Sequence, residues 1–214
     1  MELPINQILH GDCLEILKTF PDKCVDLVLT DPPYGVKLGS RSKEKYDITD
    51  DTAEKVIPMV NAILTECFRV ANVVVMTPGV KNMFAYPKPD HVGSFFYPSA
   101  TGMNKWGFSC WQPIFFYGKD PYAGKGSLPD SKQSTESAEK NGHPCPKPIK
   151  QWMWLLNRCS LKGQTVLDPF LGSGTTAVAA KMENRKYIGI EISEKYCEIA
   201  RQRVASAPTP LFVN

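Results

Sequence analysis

Apolar, β-branched runs alternate with helix-like segments along this chain, and this alternation restricts its fold more than any other feature. Residues 25–30 and 72–76 have the pattern of buried strands, and residues 54–70 between them carry apolar side chains at helical spacing. The alternation returns near the C-terminus. Strands that alternate with helices predict an α/β fold with a mostly parallel sheet and helices on both faces.

The other elements complete one α/β domain, since 214 residues are enough for a full core. Residues 119–142 are polar, with Leu128 as their only large aliphatic residue, and we expect a loop there. Pro148 favours the first turn of a helix. The remaining predicted elements are strands at 5–10, 94–98, 111–117, 166–167 and 186–191, and helices at 13–20, 147–160, 174–183 and 194–205.

Composition narrows the function classes. No apolar run approaches the roughly 18 residues of a membrane span, and Met1-Glu2-Leu3-Pro4 lacks the features of a signal peptide, so we expect a cytoplasmic protein without membrane contact. The seven cysteines include no CxxC pair, and the three histidines are not spaced as metal ligands. We therefore expect free thiols and no metal.

The segment Asp168-Pro169-Phe170-Leu171-Gly172-Ser173-Gly174-Thr175-Thr176 follows one buried strand. Glycines there permit a sharp turn and a close ligand approach, and the helix that follows directs free N–H groups at an anion. Glu191 closes the next strand, where an acid can accept both hydroxyls of a ribose. A nucleoside with an amino-acid tail fits this pattern.

Two other nucleotide motifs fit this loop less well. A dinucleotide fingerprint would place a third glycine at position 177, which is Ala, although some variants accept Ala there. A phosphate-binding P-loop requires Gly-Lys-Ser/Thr, which is missing from this segment. An ordinary tight turn between a strand and a helix remains an alternative.

Asp31-Pro32-Pro33-Tyr34 follows the other buried strand. The prolines fix the backbone and remove two N–H donors, so the Pro32 carbonyl and the Asp31 carboxylate are neighbouring acceptors. Two acceptors match the two hydrogens of an exocyclic amine, and Tyr34 offers a flat face for a stacked ring. The alternative is a Pro-Pro turn with an Asp cap.

A basic cluster follows this motif, although the net charge of +3 is itself weak support for nucleic-acid binding. The cluster is either a phosphate-binding loop or a solvated surface loop. It consists of Lys37, Arg41, Lys43 and Lys45.

These motifs resemble those of the S-adenosylmethionine-dependent DNA amino-methyltransferases, in the β arrangement where DPPY precedes the cofactor loop. The DPPY motif matches the catalytic motif, Asp168 to Gly174 the methionine-binding loop, and Glu191 the ribose acid. His10-Gly11-Asp12-Cys13 resembles the segment that meets the cofactor adenine. His143 to Pro148 is similar to the segment whose lysine, here Lys147, approaches the cofactor carboxylate.

The resemblance implies a seven-stranded sheet with one antiparallel strand, and a methyl transfer that leaves S-adenosylhomocysteine. It implies base flipping, a role in restriction-modification, and DNA as partner through Lys37, Arg41, Lys43 and Lys45. The implied catalytic residues are Asp31, Pro32, Pro33 and Tyr34. The implied cofactor-binding residues are Asp12, Cys13, Asp31, Lys147, Asp168, Phe170, Gly172, Ser173, Gly174, Thr175, Glu191 and Ile192.

The resemblance also divides the single domain into a catalytic half at 1–77, aromatic strands with a polar recognition loop at 78–142, and a cofactor-binding half at 143–214. The recognition region is short for the family, which suggests relaxed specificity or a second subunit, and we predict a homodimer. Cys-Pro replaces the commoner Thr-Gln at 145–146, which puts a role for the Cys145 side chain in doubt.

Several activities remain as alternatives. Asp31 favours adenine-N6 as the target, with cytosine-N4 as the alternative. Relatives with Asn-Pro-Pro-Tyr act on RNA guanine or protein glutamine and match less well. A cytosine carbon-5 enzyme would need a Pro-Cys nucleophile, and Pro144-Cys145 lies outside the amine site. A non-catalytic DNA-binding module would have a broken motif, whereas both motifs are intact.

Overall fold

The computed structural model describes residues 2–36, 52–99, 102–136 and 147–208. Over these ranges the chain forms ten β-strands, five α-helices and one short 3₁₀ turn, Met83–Ala85. The strands are β1 (Gln7–His10), β2 (Val25–Thr30), β3 (Ala71–Met76), β4 (His91–Phe96), β5 (Gly102–Asn104), β6 (Gly107–Ser109), β7 (Trp111–Gly118), β8 (Ser131–Gln133), β9 (Thr165–Asp168) and β10 (Lys186–Glu191).

The α-helices follow the predicted segments closely. Pro148, predicted in the first turn of the third helix, is instead the extended residue immediately before it. The helices are α1 (Cys13–Lys18), α2 (Ala53–Val70), α3 (Ile149–Cys159), α4 (Thr175–Met182) and α5 (Glu194–Ser206).

Eight strands form one sheet in the order β1-β10-β9-β2-β3-β7-β4-β8. β7 pairs antiparallel with both of its neighbours, and the other neighbouring pairs are parallel. The predicted α/β class and the single antiparallel strand are confirmed. The expected seven strands become eight, because three residues of the predicted loop at 119–142 add β8 beside β4.

Successive side chains of each strand point to opposite faces of the sheet, and each face has its own hydrophobic core. Val28 packs with the helices α1 and α2, whereas its neighbours Leu27 and Leu29 pack with α3 and α4. α5 packs against α4 and β1. Helices therefore cover both faces of the sheet. The carboxyl ends of the parallel strands lie at one edge, where ligands bind in such sheets.

The sequence pattern did not predict β5 and β6, which pair as a separate two-stranded hairpin between β4 and β7. Each strand has only three residues, too few for a period-2 pattern to stand out. Within the described ranges, no helix combines the length and apolarity that crossing a membrane requires.

Candidate active site

A hydrogen bond joins the ends of two neighbouring strands, β2 and β9. Thr30, the last residue of β2, donates its hydroxyl to Asp168 Oδ1 at 2.7 Å. Asp31 follows Thr30 directly, and the glycine loop follows Asp168. The two motifs that are distant in sequence are therefore adjacent at one edge of the sheet.

The Asp31 carboxylate has three side-chain partners. Its Oδ2 lies 2.8 Å from Lys147 Nζ, and its Oδ1 accepts from the Tyr34 hydroxyl at 2.5 Å. The hydroxyl of Thr77, the residue after β3, also donates to Oδ1. Both side chains of the ion pair are about one-fifth exposed, so the carboxylate is well bonded and still within reach of the surface.

Tyr34 is held from three sides. Its ring lies on Gly79, where an added Cβ would come within 3.0 Å of the ring, and Asn82 donates to its backbone oxygen at 2.6 Å. Gln112 on β7 donates to its hydroxyl at 2.6 Å. Burial, together with the charge of Asp31, raises the pKa of the hydroxyl, so Tyr34 stays neutral.

The Lys147 side chain lies beside the DPPY motif, although it is far from that motif in sequence. Its ammonium lies 2.9 Å from the Tyr34 hydroxyl and 5.0 Å from the centroid of the Tyr34 ring. Burial opposes the charge, but the attraction of Asp31 and Tyr34 outweighs it and raises the pKa of Lys147 above its usual value. The ammonium is therefore a permanent positive charge beside Asp31.

Asp168 is 3% exposed, and hydrogen bonds inside the protein engage both of its oxygens. Oδ1 accepts from Thr30 and, at 3.0 Å, from the Phe170 backbone, whereas Oδ2 accepts from the Thr176 hydroxyl at 2.5 Å. Burial raises the pKa of Asp168 to about 6 despite these donors. The side chain connects β2, β9 and α4, so it braces the loop from within.

The two loop glycines have different surroundings. Both have positive φ, +54° at Gly172 and +89° at Gly174. A Cβ on Gly174 would come within 2.7 Å of Ala200, so this glycine allows α4 and α5 to approach closely. Arg203 bonds to Ser173 and Thr175, whose side chains are buried. Arg203 therefore fixes these two loop residues from the α5 side.

Glu191 ends β10 beside the loop. Its two oxygens accept from Gly172 N at 2.8 Å and Ser193 N at 2.9 Å. A carboxylate has about four acceptor positions, so each oxygen retains one for a further donor such as a ribose hydroxyl. Glu191 therefore has the acceptor positions that the hydroxyls of a ribose require.

The segment after β1 lies beside Glu191, because Gly11 N donates to the Glu191 backbone oxygen at 3.0 Å. Asp12 caps α1 through Leu14 N at 2.8 Å, and burial raises the pKa of the Cys13 thiol to about 12. His10 contacts the Ile192 backbone oxygen at 3.0 Å, and the Ile192 side chain is exposed.

The site contains several residues that sequence reasoning missed. Thr77 could have been found, because it follows β3, whose end lies at the same edge. Gln112 could not, because it begins the antiparallel strand and only the tertiary pairing brings it to Tyr34. Arg203 gives no local signal because it lies in a charged surface helix.

Some predicted residues lie outside the described ranges, namely Lys37, Arg41, Lys43, Lys45, His143 and Cys145. Among the residues that are described, no group of three or more histidine, cysteine, aspartate or glutamate side chains could hold a metal ion.

A family model with the description DNA methylase matches residues 87–202, more than half of the chain. The chain belongs to this DNA methylase family. YubD of Escherichia coli (strain K12), described as a methylase, is 31% identical over 94% of this chain and 91% of its own length. The predicted family is thereby confirmed, and the chain is a DNA methylase of the N6/N4 amino-methyltransferase type.

Solved methyltransferase structures share the methylase's fold. The complex of M1.HpyAVI with S-adenosylmethionine has a TM-score of 0.65 and 21% identity, and the alignment covers 92% of this chain and 98% of the other. The cytosine-N4-specific PvuII DNA methyltransferase has a TM-score of 0.67 and 20% identity, with 92% and 85% covered. At this identity the likeness establishes the α/β methyltransferase fold.

Proposed function

We propose that this methylase transfers a methyl group from S-adenosylmethionine to the exocyclic amine of a DNA base, with adenine-N6 as the target. The observation that carries the proposal is the Thr30–Asp168 hydrogen bond, at 2.7 Å. Because of this bond, the Asp31 carboxylate lies at the same sheet edge as the glycine loop, whose Gly172 N donates to Glu191. The amine acceptors and the nucleoside acceptors thus lie along one edge of the sheet.

Asp31 and the Pro32 carbonyl act on the amine. The cofactor supplies a methyl group on a sulfonium, so the N–C bond forms as the C–S bond breaks. The amine nitrogen becomes positive during attack, and the two acceptors stabilise that charge, each by ~2–4 kcal/mol. S-adenosylhomocysteine is the leaving group, and the methylated cationic nitrogen then loses its extra proton to water, because the neutral amine is too weak an acid to lose it first.

Tyr34 and Lys147 have to rearrange when the amine binds, because the Tyr34 hydroxyl and the Lys147 ammonium bond to the carboxylate of Asp31. An amine that takes these places leaves the Tyr34 ring as a stacking face. The base is extruded from the duplex to reach Asp31, at a cost of a few kcal/mol. Stacking of ~1–3 kcal/mol on Tyr34 offsets part of that cost.

The cofactor is held by the loop and its neighbours. Glu191 accepts the ribose hydroxyls, and the backbone of Phe170 to Gly174 contacts the methionine portion. Lys147 binds the carboxylate of that portion when it leaves Asp31, since its ammonium lies at the sheet edge that the loop shares. Asp12, Cys13 and Ile192 surround the adenine, and Asp168 acts indirectly as the brace of the loop.

Cytosine-N4 is the second candidate, because a cytosine-N4-specific methyltransferase shares the fold. Asp31 supports adenine, since an aspartate at the first position of this motif is typical of the adenine enzymes in the family. The basic residues Lys37, Arg41, Lys43 and Lys45 are proposed as backbone contacts to DNA, and a homodimer stays a prediction. The proposed division into catalytic, recognition and cofactor segments follows the motif order.

The test is transfer of a labelled methyl group to unmethylated plasmid DNA, followed by nucleoside mass spectrometry. We expect N6-methyladenine, whereas N4-methylcytosine would move the proposal to its second candidate. Asp31→Asn should lower kcat/KM by about 10²–10³-fold.

Asp130→Asn is the matched control, since Asp130 is an exposed carboxylate paired with His91 at 2.7 Å. Activity of Asp31→Asn equal to that of this control would contradict the role of Asp31.

A further inference from the structure

The hairpin formed by β5 and β6, here called the apolar arm (residues 102–109), exposes apolar side chains that a packed domain would normally bury. Trp106 at its tip is 100% exposed, and Met103 and Phe108 are 78% and 73% exposed. Met103 and Phe108 are paired across the two strands, so both side chains lie on the same face. The arm therefore has one apolar face and an aromatic tip.

The arm begins at the active site. Tyr97 N donates to Cys110 O at 2.7 Å, which extends the β4–β7 pairing towards the arm. Gln112, three residues after Ser109, donates to the Tyr34 hydroxyl at 2.6 Å. Because β7 is antiparallel, its first residues lie at the edge of the sheet where β2 and β3 end. The arm thus continues from the wall of the proposed base pocket.

The charge of this region suits a polyanion. Residues 91–119 contain no aspartate or glutamate, and the turn of the arm carries Lys105 beside Trp106. The six residues from Gln112 back to Trp106 can span about 20 Å at about 3.3 Å per residue. The major groove of DNA is about 8.5 Å deep and admits a two-stranded ribbon, so the arm is long enough to reach the base stack.

We propose that the apolar arm enters duplex DNA beside the target base, with Trp106 filling the gap that the extruded base leaves. The inference rests on the proposed function, because it assumes a flipped base. Proteins that unstack DNA insert apolar side chains between base steps, and an aromatic ring also replaces lost stacking.

A second copy of the chain is a less suitable occupant. A large aromatic side chain buries roughly 150–250 Å², so the two exposed aromatic side chains of the arm, Trp106 and Phe108, provide at most about 500 Å². Stable interfaces bury about 800 Å² per partner. The arm by itself is too small for a stable dimer contact.

The test uses the full chain and a short duplex that contains a target site mapped by sequencing of methylated DNA. Trp106→Ala should lower kcat/KM on this duplex about 10-fold, whereas Trp106→Phe should stay within about 3-fold of wild type. A second duplex carries pyrene opposite the target base. Pyrene fills the gap from the DNA side, so it should restore Trp106→Ala to within about 3-fold of wild type.

The matched controls are Met103→Ala on the arm and Met59→Ala on α2, where Met59 is 42% exposed. We expect Met103→Ala to lower kcat/KM on the ordinary duplex and Met59→Ala to leave it unchanged. Wild-type activity of Trp106→Ala on the ordinary duplex, or a loss that pyrene does not restore, would overturn the proposal. A wild-type dimer that Trp106→Ala dissociates in light scattering would assign the arm to a second copy.

No methyl transfer by the wild type to either duplex would instead refute the proposed function, and the arm proposal with it. Failure of the arm proposal alone would appear in the Trp106→Ala variant, whereas failure of the proposed function would appear in the wild type.

Discussion

Asp31 and Asp168 are both the aspartate of an Asp-Pro pair after a buried parallel strand, yet their surroundings differ. Asp168 is 3% exposed and accepts hydrogen bonds from two hydroxyls and one backbone N–H. The Asp31 side chain is 20% exposed and paired with an ammonium. The same dipeptide therefore becomes a buried brace at Asp168 and a partly exposed, ion-paired carboxylate at Asp31, according to the side chains that other elements bring to it.

The largest expected difference between the two is in stability. Asp168→Ala removes the acceptor of three buried donors, and we expect the free energy of unfolding to fall by about 3 kcal/mol. Asp31→Asn keeps the shape of its side chain and one acceptor oxygen but leaves the Lys147 ammonium without its carboxylate, so it should cost less than Asp168→Ala, about 1–2 kcal/mol. Urea unfolding followed by circular dichroism measures the loss of unfolding free energy in both variants. Equal losses would show that Asp168 does not stabilise the fold more than Asp31 does.

The pH dependence of stability sharpens the same comparison. Burial raises the pKa of Asp168 to about 6, above the usual value of about 3.9, so the folded chain holds this proton more tightly than the unfolded chain. The stability that this proton contributes is complete below about pH 4 and is lost as the pH rises to about 6. The loss is about 2–3 kcal/mol over that range.

Asp168→Asn cannot titrate at this position. The stability of the wild type relative to Asp168→Asn should therefore decline between pH 4 and pH 6 and then stay level. Unfolding free energies at several pH values give this difference, and a difference that does not change with pH would show that Asp168 has no raised pKa.

The smallest expected effect concerns the link between Tyr34 and Asp31. Tyr34→Phe keeps the ring and removes only a hydrogen bond to Asp31 that the binding amine would itself replace, so we expect methyl transfer to stay within about 3-fold of wild type. Tyr34→Ala removes the stacking face as well and should lose more. Steady-state kinetics separates the two variants, and equal losses would argue against stacking on Tyr34.

Much of the fold could be predicted from the sequence. The strands β2 and β10 match the predicted ranges, and α2 and α5 match within a residue at each end, because periodicity and start signals are local. The two motifs at strand ends could also be placed at one edge, since parallel strands share it. The predicted family is confirmed for the same reason, because its motifs are short and contiguous.

Local patterns along the chain are enough to specify the alternation of strands and helices and the position of both Asp-Pro motifs at strand ends. Only the tertiary structure decided that Lys147 pairs with Asp31, that Gln112 reaches Tyr34 and that Asp168 is a brace. Each of these contacts joins residues that are far apart in sequence. They depend on strand order and on the insertion of β7, which are set by the packing of the whole sheet rather than by any local pattern.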